Sequence, residues 1–317
     1  MKVFVTGAAG FVGSRLALSL LTRGDTVIGH DNFDPYYERV HKDRHLRDLL
    51  PHKNFTFIEG DLRDEKSLLK IFAEQMPDAV GHMAAMAAVR YSMKHPLIYG
   101  HVNVQGTMNL LDAGRQTSNP RFVIASTGSV YGTSTPVPFA ETAAADRPLA
   151  PYPASKRCME LMAHCYHHLW KMPTTIVRFF NVYGPFGRPD MMPWQWTLDI
   201  LAGKTLTLYN AGHIKRDWTY IDDIVSGLTL ALDKPFPFEI FNLGCSNPVE
   251  NLRFIEVLEG LLGKKAIVAD TPTPPTEPMI TYADVTKARQ MLGYAPKTQV
   301  EEGLKNFIEW MRVETII

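Results

Sequence analysis

The sequence predicts an α/β fold in which a doubly wound parallel sheet is followed by a smaller C-terminal domain. Three observations lead to this prediction. Short apolar runs alternate with amphipathic stretches through the first half of the chain, as they do in successive strand–helix–strand units. A glycine-rich turn directly follows the first apolar run. Beyond Asn181, the alternation gives way to a passage rich in glycine and proline.

The strands and helices of the first domain are predicted in order along residues 1–180. Apolar runs predict strands at Lys2–Thr6, Thr26–His30, Phe55–Glu59, Ala79–His82, Phe122–Ser126 and Thr174–Arg178. Amphipathic stretches between them predict helices at Phe11–Arg23, Glu65–Gln75, Tyr99–Gln116 and Ser155–Trp170. Residues 218–245 are predicted to return to this sheet. The second domain then comprises residues 181–217 and 246–317, with a loop at the Thr/Pro cluster 271–278.

The composition excludes several classes of protein. The chain has 317 residues, of which 45% are hydrophobic and 21% charged, so it is neither disordered nor fibrous. Its 33 Lys and Arg balance its 33 Asp and Glu, which gives no electrostatic case for nucleic acid or a membrane surface as a partner. Three cysteines without CxxC spacing argue against a disulfide framework and a zinc site, so we expect no metal and a cytoplasmic location.

The first turn of the chain has the residues of a dinucleotide site. Gly7, Gly10 and Gly13 lie between the first strand and the helix that contains Phe11 and Val12. Glycines at such a turn let a pyrophosphate approach the backbone N–H groups of a helix N-terminus. The spacing is GxxGxxG and not the GxGxxG of the usual fingerprint. Taken alone, the glycines therefore also fit a purely structural turn.

An acidic residue at the end of the second strand strengthens the cofactor prediction. Asp31 can accept hydrogen bonds from both ribose hydroxyls of adenosine, and its charge would repel a 2′-phosphate. The sequence therefore favours NAD over NADP, bound in a Rossmann-type domain. Asp61 and Leu62 follow the third strand and could contact adenine, although an acidic cap on the next helix explains Asp61 equally well. We also place Asn32, Ala84 and Ala85 in the cofactor site.

Tyr152 and Lys156 form a Tyr-x-x-x-Lys motif at the start of a predicted helix, where this spacing puts both side chains on one face. An ammonium beside a phenol favours the phenolate, so we expect the pKa of Tyr152 to fall below its ordinary value of about 10. Thr127 ends the preceding strand, at the edge where open α/β sheets bind ligands. The motif alone is common and fits a surface pair, but its position after a dinucleotide turn favours a catalytic Tyr152.

With these motifs, the sequence resembles the extended short-chain dehydrogenase/reductases, and among them the nucleotide-sugar epimerases that act on UDP-glucuronate. The resemblance extends almost end to end and is carried by DNFDPYYERVHKDRHLRDL (31–49), AAVRYSMKHP (87–96), VRFFNVYGPFGRPDMMPW (177–194), RDWTYIDDIV (216–225) and FNLGCSNPVENLRFIEVLE (241–259). It implies an NAD-dependent isomerase that interconverts UDP-glucuronate and UDP-galacturonate through a transient 4-keto sugar. It also implies a homodimer formed through the helices at 99–116 and 155–170.

The resemblance assigns roles to individual residues. Thr127, Tyr152 and Lys156 match the family's catalytic Ser/Thr, Tyr and Lys. Arg216 matches an arginine that grips the nucleotide's phosphates, although an ion pair with Asp217 or Asp222 would also explain it. Glu277 matches an acidic residue at the uridine ribose. Residues 1–180 with 218–245 would then hold NAD, and residues 181–217 with 246–317 the UDP-sugar.

The carboxylate of a uronate substrate sets a chemical problem. Oxidation at C4 makes a β-keto acid, which loses CO2 when its carboxylate aligns with the carbonyl orbital. We expect Ser129, Asn181 and Arg188 to hold the carboxylate away from that alignment, since all three can donate to it. Arg188 could instead only stabilise its loop. Arg90 could reach the sugar or phosphate, or form an interior ion pair.

Three other functions stay open from the sequence. Two share this chemistry, namely a UDP-glucose 4-epimerase and a UDP-glucuronate decarboxylase. The third is a non-catalytic NAD-binding regulator, against which the intact Thr127, Tyr152 and Lys156 argue. Gly128, in the segment STGSVYG, departs from the serine-rich run usual in glucuronate epimerases, so one hydroxyl contact expected from the family is missing.

Overall fold

The computed structural model describes residues 1–133, 135–274 and 277–317, so part of the predicted loop 271–278 lies outside the described residues. The strands are β1 (Lys2–Thr6), β2 (Thr26–Asp31), β3 (Phe55–Glu59), β4 (Ala79–His82), β5 (Arg121–Thr127), β6 (Thr174–Phe179), β7 (Val182–Tyr183), β8 (Thr205–Tyr209), β9 (Lys215–Asp217), β10 (Thr219–Tyr220), β11 (Phe238–Leu243), β12 (Pro248–Glu250), β13 (Ile267–Thr271) and β14 (Ile280–Thr281).

The helices are α1 (Phe11–Arg23), α2 (Arg39–Arg47), α3 (Glu65–Gln75), α4 (Val89–Lys94), α5 (Pro96–Tyr99), α6 (Gly106–Gln116), α7 (Pro151–Trp170), α8 (Met192–Ala202), α9 (Ile221–Asp233), α10 (Asn251–Leu262), α11 (Thr286–Leu292) and α12 (Val300–Val313). A π-helix spans Gly100–Gln105, and short 3₁₀ turns span Gly128–Tyr131 and Asn210–Gly212. Within the described ranges, no helix is both long and apolar enough to cross a membrane.

In the described part of the chain, the large sheet has seven parallel strands in the order β11-β6-β5-β4-β1-β2-β3. This confirms the predicted doubly wound α/β fold. The strand order reverses between β4 and β1, where the connections leave a crevice at the carboxyl ends of the strands. Ligands of such sheets bind in this crevice, which directs attention to the residues after β1, β4 and β5.

Both faces of the large sheet are buried, which explains why its strands are continuous apolar runs and not alternating ones. Successive residues of a strand point to opposite faces. In β1, Phe4 packs with α3, α6 and α7, while Val3 and Val5 pack with α1 and α9. Each face thus belongs to a separate hydrophobic cluster.

Beyond residue 181, the chain forms small sheets and adds one strand to the large sheet. The small sheets pair β10 with β7, β9 with both β12 and β14, and β13 with β8. Strand β11 lies parallel to β6 with Phe238 opposite Thr174, and α9 packs against α1. The division into a cofactor region and a substrate region stays a prediction.

The predicted continuous helix at Tyr99–Gln116 is wrong in one respect. Its first part winds as α5 and then as a π-helix before α6 begins. The widened turn carries Asn103, whose Oδ1 accepts from the Met86 N–H at 2.8 Å and whose Nδ2 donates to Met86 O at 3.0 Å and to Ser155 Oγ at 2.9 Å. The apolar period of so short a segment does not distinguish a π-helix from an α-helix.

Candidate active site

A cavity of about 820 Å³ lies at the carboxyl ends of β1, β4 and β5 and extends to the small sheets. It is lined by every site residue that the sequence predicts: Gly7, Gly10, Phe11, Val12, Gly13, Asp31, Asn32, Asp61, Leu62, Ala84, Ala85, Arg90, Thr127, Ser129, Tyr152, Lys156, Asn181, Arg188, Arg216 and Glu277. The fold therefore brings these residues together, although they come from segments up to 270 positions apart in the chain, from Gly7 to Glu277.

The glycine turn closes one end of the cavity. Gly7 has φ +69°, a conformation that favours glycine, and its N–H donates to His30 O at 2.8 Å. A Cβ on Gly13 would collide with the carbonyl oxygen of Gly7, and one on Gly7 would lie 2.8 Å from the Ala84 nitrogen. Among the described residues, no side chain caps the N-terminus of α1. The turn and the N–H groups of this helix end fit the pyrophosphate of a dinucleotide.

Asp31 lies buried beside a cation that the sequence analysis missed. Its Oδ2 accepts from the Ala9 N–H at 3.2 Å, and its Oδ1 accepts from the Phe33 N–H at 2.8 Å. Lys42 Nζ of α2 lies 3.7 Å from Asp31 Oδ1. Burial raises the pKa of the Asp31 carboxyl, and the Lys42 ammonium and the two N–H donors oppose that rise. No spacing rule connects a residue of α2 to the end of β2.

Asp61 is not the cap of the following helix, so the structural alternative that the sequence left open for it is wrong. The α3 cap is Asp64, whose carboxylate accepts from the Ser67 N–H at 3.0 Å. Asp61 instead accepts from Asn32 Nδ2 at 2.8 Å and from the Arg63 guanidinium at 2.7 and 2.9 Å. These contacts hold the pKa of the Asp61 carboxyl well below its usual range, and the Arg63 guanidinium has the largest effect. Asp61 is thus an ionised hydrogen-bond acceptor at the cavity wall.

Tyr152 and Lys156 are buried together at the start of α7. Lys156 Nζ donates to Ala125 O at 2.8 Å, and the hydroxyl of Thr127 accepts from the Ser129 N–H at 3.1 Å. Burial raises the pKa of Tyr152, while the Thr127 hydroxyl and the Arg188 charge oppose the rise. Burial lowers the pKa of Lys156 to about 7, against the Glu160 charge.

These directions correct the expectation that Lys156 lowers the pKa of Tyr152. The Lys156 ammonium is held at the Ala125 carbonyl, and desolvation is the largest influence on both groups. In this structure the groups that lower the pKa of Tyr152 are Thr127 and Arg188. A positive charge on a bound ligand would add to their effect and a negative charge would oppose it, because the phenol lies in the same cavity.

A buried ion pair that no motif indicated fixes α7 on the large sheet. Glu160 accepts from Arg178 Nε at 3.0 Å and from Arg178 Nη2 at 2.7 Å, and both side chains are 1% exposed. Ser126 Oγ donates to the same carboxylate at 2.5 Å. Because Glu160 lies one turn after Lys156 on α7, this network positions the Tyr152–Lys156 face against the end of β5.

In the same cavity, Arg188 is already paired. Its Nε and Nη2 donate to the Asp190 carboxylate at 2.9 and 2.6 Å, and its guanidinium lies 5.8 Å from the ring centroid of Tyr36. The sequence analysis left open whether Arg188 holds a carboxylate or stabilises its own loop, and it overlooked Asp190, which follows Arg188 by two residues. Ser129 and Asn181 line the same cavity.

Glycine occupies position 128 for a steric reason. A Cβ at this position would lie 2.8 Å from ring atoms of Phe180, which is 3% exposed. The departure from a serine-rich run therefore accompanies a buried phenyl ring that covers the position. Residue 128 therefore does not supply the hydroxyl that the family resemblance predicts there.

Arg216 and Glu277 form an ion pair with each other in the same cavity. Arg216 Nη1 also donates to Lys215 O at 2.8 Å, and burial lowers the pKa of the guanidinium. The alternative pairing with Asp217 is wrong, because Asp217 Oδ1 and Oδ2 accept backbone N–H groups of Cys245 and Ala283 at 2.8 and 2.9 Å.

Arg90 forms no interior ion pair within the described residues. Its side chain lies exposed at the cavity wall, with Nη2 3.4 Å from the Tyr209 hydroxyl and the guanidinium 5.6 Å from the Tyr209 ring centroid. In the described ranges, no three His, Cys, Asp or Glu side chains are grouped as ligands for a metal ion.

The family of the chain follows from its match to a known model. Residues 4–307 match the family described as GDP-mannose 4,6 dehydratase. The chain belongs to this family of extended short-chain dehydrogenase/reductases.

Individual relatives are similar over almost the whole chain. UDP-glucuronate 4-epimerase 5 of Arabidopsis thaliana is 41% identical over 98% of this chain and 75% of its own length. The crystal structure of UDP-glucuronic acid 4-epimerase from Bacillus cereus, in complex with UDP-glucuronic acid and NAD, matches with a TM-score of 0.93 at 34% identity, covering 99% and 100% of the two chains. UDP-glucose 4-epimerase of Thermotoga maritima with UDP-glucose matches with a TM-score of 0.90 at 29% identity, covering 100% of each chain.

Proposed function

We propose that this protein is an NAD-dependent UDP-glucuronate 4-epimerase, an isomerase that interconverts UDP-glucuronate and UDP-galacturonate. The observation that carries the proposal is that Thr127, Tyr152 and Lys156 line one cavity together with a dinucleotide turn and the Arg216–Glu277 pair. The Arabidopsis and Bacillus relatives that bear this name support the choice of substrate.

NAD fits one end of the cavity because the glycine turn leaves room for a pyrophosphate and Asp31 presents its carboxylate for the ribose hydroxyls. Asp61 and Leu62 would line the adenine, and Ala84 and Ala85 would line the path toward Tyr152. When bound there, NAD supplies the acceptor and later the donor of the hydride at C4 of the sugar.

The catalytic side chains transfer the proton of the sugar 4-hydroxyl and position its oxygen. Tyr152 accepts the proton of the sugar 4-hydroxyl, and Thr127 orients that oxygen by a hydrogen bond. Tyr152 accepts this proton in its phenolate form, which the Thr127 hydroxyl and the Arg188 charge stabilise, and becomes the neutral phenol. Lys156, in the same cavity, would bind the nicotinamide ribose. The 4-keto sugar then turns over in the cavity, and Tyr152 returns its proton to the oxygen on the other face. Arg216, Glu277 and Arg90 keep the nucleotide fixed during this turn.

The carboxylate of the sugar would lie at the other end, near Ser129, Asn181 and Arg188. Arg188 uses two N–H groups for Asp190 and has further donors for a substrate carboxylate. These contacts would turn the carboxylate away from the alignment that releases CO2. The expected product is therefore the C4 epimer and not a pentose.

The proposed activity is tested by product analysis. Protein with bound NAD is incubated separately with UDP-glucuronate and UDP-glucose, and the products are identified by mass spectrometry and NMR. We expect UDP-galacturonate as the main product from UDP-glucuronate. UDP-xylose as the main product would identify a decarboxylase, and turnover of UDP-glucose alone would identify a UDP-glucose 4-epimerase. No turnover of either sugar would favour the NAD-binding regulator.

NAD is expected to bind at least ~10-fold more tightly than NADP. Asp31 accepts from the ribose hydroxyls and repels a 2′-phosphate, although the nearby Lys42 reduces that repulsion. Calorimetric titration of cofactor-free protein measures both affinities. Equal or tighter binding of NADP would contradict the assignment of Asp31.

We also propose that the protein is a homodimer. Large apolar side chains are exposed on neighbouring helices, namely Met93 (50%) on α4, Leu97 (76%) on α5 and Leu161 (51%) on α7. Burying such a patch against its copy would remove apolar surface from water. Light scattering after gel filtration should give twice the 35.7 kDa chain mass, and Leu161→Glu should shift it toward the monomer. A wild-type mass of one chain would contradict the proposal.

The division of labour along the chain and its location are part of the same proposal. Residues 1–180 and 218–245 would hold NAD, and residues 181–217 and 246–317 would hold the UDP-sugar.

We place the protein in the cytoplasm, because Cys158 and Cys165 lie exposed as thiols on α7, a state that a reducing compartment preserves.

A further inference from the structure

The sugar end of the cavity contains a neutralised cation. Asp190 accepts from Arg188 through both carboxylate oxygens, and the Tyr36 hydroxyl donates to Asp190 Oδ2 at 3.0 Å. The Arg188 side chain is 18% exposed and the Asp190 side chain 27%, and both line the cavity. A substrate at Tyr152 would therefore come near a positive and a negative group together.

This arrangement weakens discrimination by charge. A uronate carboxylate is attracted by Arg188 and repelled by Asp190, so the two effects largely cancel beyond direct hydrogen-bond contact. A neutral hexose, in turn, does not leave Arg188 without a partner, because Asp190 remains bound to it. The penalty for an unpaired buried charge, which would exclude neutral sugars, is therefore absent from this described ion pair.

We propose that Asp190 determines substrate specificity: by cancelling the charge of Arg188, it limits the preference of the sugar site for a uronate over a neutral hexose. The inference rests on the proposed function, because it assumes that a UDP-sugar occupies this cavity. It assigns Asp190 an effect through Arg188, so Asp190 is a positioning and charge-compensating residue and does not itself bind the sugar.

The test is the ratio of two affinities in Asp190→Asn. Asparagine is nearly isosteric with aspartate but carries no charge. NAD-loaded wild type and variant are titrated calorimetrically with UDP-glucuronate and with UDP-glucose. We expect the Kd ratio to move toward UDP-glucuronate by on the order of tenfold, with UDP-glucose binding weakened because Arg188 is left uncompensated. UDP alone, which would bind at the Arg216 end, reports whether the variant is folded.

Three control variants separate charge from packing. Asp190→Glu keeps the negative charge, so its Kd ratio should stay near that of the wild type. Tyr36→Phe removes a hydroxyl from the same cluster but keeps both charges, and its ratio should stay within about twofold. Asp43→Asn removes one negative charge from an exposed pair with Arg39 on α2, so it controls for net charge.

Each outcome decides the question. A tenfold change in the ratio for Asp190→Asn, absent from the controls, supports the proposal. Equal weakening of both sugars, an unchanged ratio or a ratio that moves toward UDP-glucose would overturn it, even if the enzyme epimerises UDP-glucuronate. A wild type that binds UDP but neither sugar would contradict the proposed function itself and the inference with it.

Discussion

Tyr152→Phe is expected to lower epimerase turnover by on the order of 10²–10⁴ while NAD binding and folding stay intact. The variant removes only the hydroxyl that accepts and returns the proton of the 4-oxygen. The phenyl ring keeps its buried packing, including its edge contact with Tyr99 at 6.1 Å between ring centroids. Single-turnover rates, calorimetric NAD binding and thermal unfolding measure the three properties.

Thr127→Val serves as the comparison for this prediction. Valine has nearly the size of threonine but lacks the orienting hydroxyl. The variant should cost less turnover than Tyr152→Phe, because Tyr152 keeps the hydroxyl that transfers the proton. Wild-type turnover by Tyr152→Phe would show that another group is the base. A variant that also lost NAD binding would show that the phenol has a structural role that the present assignment lacks.

The free energy of unfolding is expected to fall steeply between pH 6.5 and 4. Burial lowers the pKa of His30 and of His45 to about 4 and of His82 to about 3, while all three return to about 6.5 in the unfolded chain. The native histidines therefore stay neutral where the unfolded ones bind protons, so stability is present above pH 6.5 and is lost as the pH falls. Three such groups give a slope of about 4 kcal/mol per pH unit.

The surroundings of His82 agree with a neutral ring. Thr107 donates its hydroxyl to Asn103 O at 2.5 Å and therefore accepts from His82 Nε2 at 2.8 Å. Thr6 Oγ1 lies 2.8 Å from His82 Nδ1 and can donate to it. This arrangement uses one N–H and one lone pair of the imidazole, which is the inventory of the neutral form.

Matched variants test the source of this acid sensitivity. Urea unfolding is measured at intervals from pH 7 to 4.5. His30→Phe should reduce the slope by about a third, because one of three titrating groups is removed, whereas His168→Gln, on the exposed surface of α7, should not change it. An unchanged slope in His30→Phe would contradict the assignment.

The sequence predicted the large sheet and most site residues because both follow from local patterns. Apolar runs bounded by glycine and polar residues locate β1 to β6 within a residue or so, since strands buried on both faces admit little else. Short spacings at strand and helix ends define the glycine turn, Asp31 and the Tyr152–Lys156 motif. Such spacings can be recognised directly in the sequence.

Other parts of the site depend on tertiary contacts that no spacing reveals. Lys42 meets Asp31 only because α2 packs over the end of β2, and Glu160 meets Arg178 only because α7 lies on β6. The π-helix at Gly100–Gln105 arises where Asn103 must reach Met86 and Ser155. For Arg188, the partner Asp190 is only two residues away in the sequence, but whether two such loop residues turn toward each other depends on the fold of the loop.

The position of β11 has a consequence for the synthesis of the chain. The edge of the sheet beside β6 is completed by residues 238–243, and the face of α1 is covered by α9 from residues 221–233. When residues 1–180 have left the ribosome, Leu16 and Leu20 of α1 still lack the apolar partners Ile224 and Leu228 with which they share a core. The nascent first half therefore exposes an apolar face and an open strand edge, both of which favour aggregation. It becomes a complete folding unit only once α9 and β11 have been translated.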